Sequence, residues 1–147
     1  MRARDIMTAV PRVVTADEPV SHAARIMRDL NVGCVPVVDD KAHLHPSGII
    51  TDRDLVVRCL AERHDRDCTV GDHMTAVGLA TVTADADLAE VIQLMERNQV
   101  RRILVTEGGR LAGIIAQADL ALKEGPLEPL VVEHLLEMVS APNLAVA

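Results

Sequence analysis

Two halves of this chain repeat one another, and that repeat limits the architecture more than any single residue does. Asp5-Ile6-Met7-Thr8 returns as Asp72-His73-Met74-Thr75 at an offset of 67, and Val14-Thr15-Ala16-Asp17 returns as Val82-Thr83-Ala84-Asp85 at an offset of 68. The helical pattern keeps step. Val20, Ala23, Ala24 and Met27 fall at i, i+3, i+4 and i+7, and Leu88, Val91, Ile92 and Met95 do so 68 residues later, so each copy predicts an amphipathic helix with one buried stripe. Each helix leads into an apolar, β-branched run, Cys34-Val35-Pro36-Val37-Val38 and Ile103-Leu104-Val105-Thr106. These read as buried strands, closed by the turn residues Asp39-Asp40-Lys41 and Glu107-Gly108-Gly109. Gly48-Ile49-Ile50 then matches Gly113-Ile114-Ile115 at an offset of 65, so the first hairpin loop is three residues longer, with the surplus in Ala42 to Ser47.

Each copy therefore reads as a strand, a helix, a two-stranded hairpin and a second helix. A unit of about 60 residues buries too small a fraction of its surface to stand comfortably alone. The expectation is two units, residues 1–66 and 67–125, docked through their sheets around one shared core. Residues 126–147 follow as a tail: Pro126 and Pro129 break the chain, and Val131, Val132, Leu135, Leu136 and Val139 give Leu130 to Val139 the stripe of a short C-terminal amphipathic helix. That helix packs either on its own domain or on a partner subunit.

Charge and composition exclude several function classes. Asp and Glu outnumber Lys and Arg by 22 to 15, a net charge of −7, which disfavours nucleic acid because phosphate backbones need clustered positive charge. The chain has no Phe, Tyr or Trp, so there is no aromatic platform for a base; a purine would have to lie between aliphatic side chains and be read by backbone groups. No run approaches the roughly 18 to 20 apolar residues that span a bilayer, and the N-terminus leads into no signal-peptide core, so no membrane association and a cytoplasmic location are expected. Cys34, Cys59 and Cys68 cannot all pair with one another and show no CxxC spacing, so neither a disulfide framework nor a zinc knuckle is expected. Cys34 reads as a small core residue, and Cys59 or Cys68 as a redox thiol at most. His43 and His45 read as solvated loop histidines rather than a metal pair. No catalytic constellation emerges: no nucleophile stands beside a recognisable base, and Asp52 and Asp54, two apart on a helix, point in different directions.

The stretch with a chemical signature is Gly48-Ile49-Ile50-Thr51-Asp52-Arg53-Asp54-Leu55. A strand runs into Thr51 as N-cap, with Asp54 in the first turn, and the free N–H groups of the helix start can receive an anion. The same residues also make an S/T-x-x-acid capping box, which needs no ligand. Beyond it Leu55, Val56, Val57, Cys59 and Leu60 are apolar around much of the helix, so the other repeat or another subunit should cover them.

In order and twice over, these features resemble the CBS-domain pair, or Bateman module, across nearly all of residues 1–125. With the short C-terminal helix, the likeness is to the small stand-alone actinobacterial members, the hypoxic-response type among them. The resemblance implies an α+β (α/β) fold of tandem CBS domains with pseudo-two-fold symmetry, small sheets flanked by helices. It implies a regulatory site for an adenine nucleotide (AMP, ADP or ATP), with no cofactor required. Asp54 would take the ribose hydroxyls, Thr51 and the helix start would face a phosphate, and Arg53 would supply local positive charge. Adenine would lie against Val14 and the Val35-Pro36-Val37 strand. The second copy departs from the pattern: Ala116-Gln117-Ala118-Asp119 keeps the acid but loses the hydroxyl and the arginine, and Leu104 replaces Pro36. The expectation is one competent site and a weaker second one around Asp119, with Arg101 and Arg102 toward the phosphates. A homodimer and a separate effector protein are the implied partners. The alternative is a structural or stress-response protein in which the Thr51/Asp54 box only caps a helix.

Overall fold

The computed structural model describes residues 1–9, 12–63 and 68–123, together with Glu133 and Glu137. Apart from those two exposed glutamates, the expected C-terminal helix lies outside the described residues. The first copy comprises α1 (Ala3–Ile6), β1 (Thr8–Ala9), β2 (Val14–Thr15), α2 (Val20–Leu30), β3 (Cys34–Val38), β4 (Pro46–Thr51) and α3 (Asp52–Asp54), which runs on into a π-helical turn at Leu55–Leu60. The second comprises α4 (Val70–His73), β5 (Thr81–Thr83), α5 (Leu88–Asn98), β6 (Arg102–Glu107), β7 (Arg110–Ala116) and α6 (Gln117–Lys123).

The long helices α2 and α5 stop alike, each on a residue in the left-handed region, Asn31 at φ 53° and Gln99 at φ 51°, whose amides reach back to the last-turn carbonyls. The buried face of α2 is Val20, Ala23, Ile26 and Met27. Ala24, expected in the stripe, is exposed and Ile26 takes its place, because the face centres between Ala23 and Met27 rather than on Val20.

Strand order shows that the two copies are interleaved rather than laid side by side. One sheet is β2-β3-β4 and the other β1-β7-β6-β5, so the first copy's β1 belongs to the second copy's sheet. It pairs antiparallel with β7, Thr8 opposite Ile114 and Ala9 opposite Gly113. Thr75 returns the arrangement, exchanging two backbone hydrogen bonds of 2.9 Å with Ile49 of β4. The short helices cross over too. The Ala3 and Arg4 amides donate to the carbonyls of Ala86 and Ala84 at 2.8 and 3.0 Å, and the Val70 and Gly71 amides donate to those of Glu18 and Ala16, both at 2.8 Å.

This exchange explains a coincidence in the sequence. A Cβ on Gly113 would lie 2.5 Å from Met7 Sδ and 2.8 Å from the Thr8 carbonyl; on Gly48 it would lie 3.0 Å from Met74 Sδ and 2.9 Å from the Thr75 carbonyl. The Met-Thr opening of one copy and the Gly-Ile-Ile of the other are two sides of one contact, where backbone passes too close for a side chain.

The single shared core expected from the sequence is replaced by two cores and a joint. One core gathers Val14, Ala23, Val35, Val37 and Ile50 with Val70 from the second copy; the other gathers Val82, Val91, Ile103 and Ile115 with Ala3 and Ile6 from the first. A smaller cluster of Val38, Leu104 and Leu111, with Ile49, Leu79 and Ile114 against it, lies where the two sheets face each other. Side chains alternate along a strand, so each sheet has one face for its own core and one for the joint. No helix among the described residues is long and apolar enough to cross a membrane.

Candidate functional site

Alternation along the strands decides what reaches the space between the sheets. Cross-strand partners share a face, so Cys34 and Pro36 stand with Thr51 and Ile49, away from the core face of Val35 and Ile50. On β6 and β7 the corresponding face carries Arg102 with Ala116 and Leu104 with Ile114. Where these faces meet, a cleft of about 230 Å³ opens. Its apolar wall is built from Ile26, Leu30, Val32, Pro36 and Ile114, and its polar part from Thr8, Arg12, Arg102 and Asp119, with Gly33, Cys34 and Ala116 between them.

Asp119 lies in the first turn of α6, where its Oδ2 accepts the Ala116 amide at 2.8 Å. Ala116 has no hydroxyl to complete a capping box, and Asp119 Oδ1 accepts no hydrogen bond from the described residues. The first copy is closed by comparison. The Thr51 amide donates to Asp54 Oδ2 at 3.0 Å, the Asp54 amide donates to Thr51 Oγ1 at 3.1 Å, and Arg58 Nε stands 3.7 Å from Asp54 Oδ1.

The structure thus brings Pro36 together with Asp119 and Arg102, whereas the sequence grouped it with Thr51 and Asp54. Val14, Val35 and Val37 have no exposed surface and face the first core, so Pro36 alone of the expected adenine wall reaches the cleft. Arg53 is exposed on α3, its amide bonded to Asp52 Oδ1 at 2.8 Å. Arg101 is exposed, and its carbonyl accepts the Gln117 amide at 2.9 Å, as the Gly33 carbonyl accepts the Asp52 amide at 3.0 Å. These two symmetric bonds pin the starts of α6 and α3 to the residues before or opening the partner strands.

Gly33 allows Arg102 its position: a Cβ there would meet Arg102 Nη2 at 3.0 Å and Asp52 Oδ2 at 3.4 Å. Burial raises the pKa of the Cys34 thiol above its ordinary value; Arg102 opposes this, and the Asp52 and Asp119 carboxylates reinforce it. The thiol stays protonated at neutral pH and is no nucleophile. Thr8 and Arg12 line the cleft without having been singled out from the sequence; the Met-Thr repeat was a signal for Thr8, and Arg12 had none.

Two groupings bear on metals. The His43 and His45 rings stack with centroids 6.1 Å apart, and their Nδ1 atoms lie 2.8 and 3.0 Å from the carboxylates of Asp40 and Asp39 in the exposed hairpin loop. Elsewhere Cys59, Cys68 and His73, spread over three segments, bring their donor atoms within 4.8 Å of one another. The sequence reading expected no metal site, and the spacing of these three resembles no short motif.

A duplicated strand-helix-hairpin-helix unit whose copies exchange edge segments around a cleft defines a paired-repeat module. The family profile of the CBS domain matches residues 3–60 and again 70–123, and the chain belongs to that family. Hypoxic response protein 1 of Mycobacterium tuberculosis is 37% identical over 119 residues, 81% of this chain and 82% of the relative. The crystal structure of Hypoxic Response Protein I with two coordinated zinc ions superposes with a TM-score of 0.75 at 34% identity, over 85% of this chain and 100% of that one. CBSX2 in complex with AMP shares the fold, with a TM-score of 0.68 at 24% identity over 82% of this chain and 93% of that one.

Proposed function

We propose that this chain is a regulatory, non-catalytic module that binds an adenine nucleotide in the cleft between its repeats and passes the resulting order to a homodimer mate or a separate effector. The observation that carries this reading is the facing of an aliphatic wall, Ile26, Pro36 and Ile114, by a carboxylate with an open oxygen and by two arginines. Adenine fits the wall without aromatic help, the ribose diol donates to Asp119, and phosphate lies toward Arg12, Arg102 and the Thr8 hydroxyl. At about 230 Å³ the cleft is below the usual range of roughly 300 Å³ and upward for small-molecule sites, which favours a mononucleotide with its phosphate at the mouth. The AMP complex of CBSX2 supports the ligand class. On this reading the principal site uses Asp119 rather than Asp54, whose oxygens are already engaged by the capping box and Arg58.

The test is thermal unfolding with AMP, ADP, ATP and S-adenosylmethionine, followed by circular dichroism because the chain has no Trp or Tyr. A ligand at about 100 times its Kd stabilises the fold by about 2.7 kcal/mol, a rise of several degrees at this size. Asp119→Ala should abolish the rise and Asp54→Ala preserve it. No shift with any nucleotide would leave the structural alternative standing; loss in Asp54→Ala alone would move the ligand to the other half.

A further inference from the structure

The pseudo-symmetry is broken at a buried position of the two short helices α1 and α4. The short helix α1 puts Ile6, 1% exposed, into the second core, and at the matching position α4 puts His73, 3% exposed, beside the first. Two thiols accompany the imidazole: Cys59, 8% exposed, in the π-helical turn, and the partly exposed Cys68 just before α4. All three donor atoms lie within 4.8 Å of one another.

We propose that Cys59, Cys68 and His73 form a site for a thiophilic divalent cation, zinc foremost; among the described residues no fourth His, Cys, Asp or Glu joins the three, so a fourth coordination position is left to water or an added ligand. Two thiolates and an imidazole are the donors that zinc selects over magnesium or calcium, which take oxygen. With Zn–S near 2.3 Å and Zn–N near 2.0 to 2.1 Å, tetrahedral geometry sets donors about 3.4 to 3.8 Å apart, so donors within 4.8 Å of one another have at most about 1.0 to 1.4 Å to close.

The backbone at the ligands is already held. The Ala61 amide closes the π turn around Cys59 by donating to the Val56 carbonyl at 2.8 Å, and the Cys68 carbonyl accepts the Val20 amide at 3.0 Å. The His73 carbonyl accepts Arg58 Nη1 at 3.3 Å. Ligands fixed in this way lose little further entropy when the ion arrives. The ion would tie the end of the first copy's last helix to the first helix of the second, spanning the connection between repeats. Each thiol that ligates releases its proton to solvent, so uptake weakens as pH falls.

The experiment uses the full chain, untagged, reduced and stripped with a chelator, then titrated with cobalt(II) and back-titrated with zinc. One equivalent of cobalt per chain should give the thiolate-to-cobalt charge-transfer band and the visible d–d bands of a tetrahedral site, which zinc abolishes. Cys68→Ser, partly exposed and tolerant of change, should lose the charge-transfer intensity and weaken zinc by about tenfold or more, while Cys34→Ser, whose thiol lies in the cleft instead, should keep the wild-type charge-transfer band. Zinc should raise the melting temperature of wild type but not of Cys68→Ser. The inference is overturned if cobalt in excess gives no charge-transfer band, if Cys68→Ser keeps it, or if Cys34→Ser loses it equally. None of these readouts depends on nucleotide.

Discussion

Glu18 stands where the two copies are tied together, and its ionisation should be readable as stability. Its carboxylate accepts the Thr15 amide at 2.6 Å and Lys41 Nζ at 3.0 Å, and lies 2.6 Å from His22 Nδ1, while its carbonyl accepts the Val70 amide at 2.8 Å. Burial alone would raise the carboxyl pKa, but the Thr15 amide, Lys41 and His22 outweigh it and lower it from 4.5 to about 2. At 1.36 kcal/mol per unit that shift corresponds to about 3 kcal/mol, and because Lys41 is 52% exposed and screened, about 2 kcal/mol is the working figure. A carboxyl with a lowered folded-state pKa stabilises above its unfolded value and loses that contribution as pH falls. The window therefore runs from 4.5 down to about 2.

Glu18→Gln should accordingly be less stable than wild type by about 2 kcal/mol near neutral pH, measured by urea unfolding with far-UV circular dichroism. At about pH 3 less than half of that deficit should remain. The carboxylates of Asp29, Asp39, Asp40 and Asp85 also have lowered pKa values, but both proteins carry them and they cancel in the difference. A deficit as large at pH 3 as at neutrality, or none at neutrality, would refute the electrostatic account.

Two further perturbations test the exchange of segments and the exposed helix face. Gly113→Ala should destabilise the fold by about 1 to 3 kcal/mol, because its Cβ meets the Thr8 carbonyl at 2.8 Å as well as the more yielding Met7 Sδ, and Met7→Ala should restore only part of the loss in the same urea assay. Leu60→Glu, at a position 71% exposed beside exposed Val56 and Val57, should change stability by less than about 0.5 kcal/mol yet, on the proposed homodimer, shift sedimentation toward monomer; an unchanged sedimentation coefficient removes this face from any homodimer contact.

The fold was legible wherever the signal is local. Apolar spacing at i, i+3, i+4 and i+7 located α2 and α5, the β-branched runs located β3 and β6, and Thr51 with Asp54 announced the cap that the structure contains. Even so, a period-2 reading of Val35-Pro36-Val37 would have sent the two valines to the core and only the proline to the cleft. The rest depends on pairing between distant segments. Nothing near Pro36 says that its acid comes from Asp119, 83 residues on, because the cleft lies between sheets whose edges have been exchanged. Cys59, Cys68 and His73 converge only once α4 has crossed to the first copy.

The traded helices and margins have a bearing on how such a molecule arises and how it can be taken apart. A polypeptide carrying one repeat would bare an unmatched sheet border, an invitation to aggregate unless it met a twin and traded the same pieces. The tandem chain is in that sense a dimer made permanent, the join between halves serving mainly to keep each at high local concentration for the other. Nicking within residues 61–69 should leave two fragments that stay associated, whereas either half made alone should aggregate or pair with a second copy of itself.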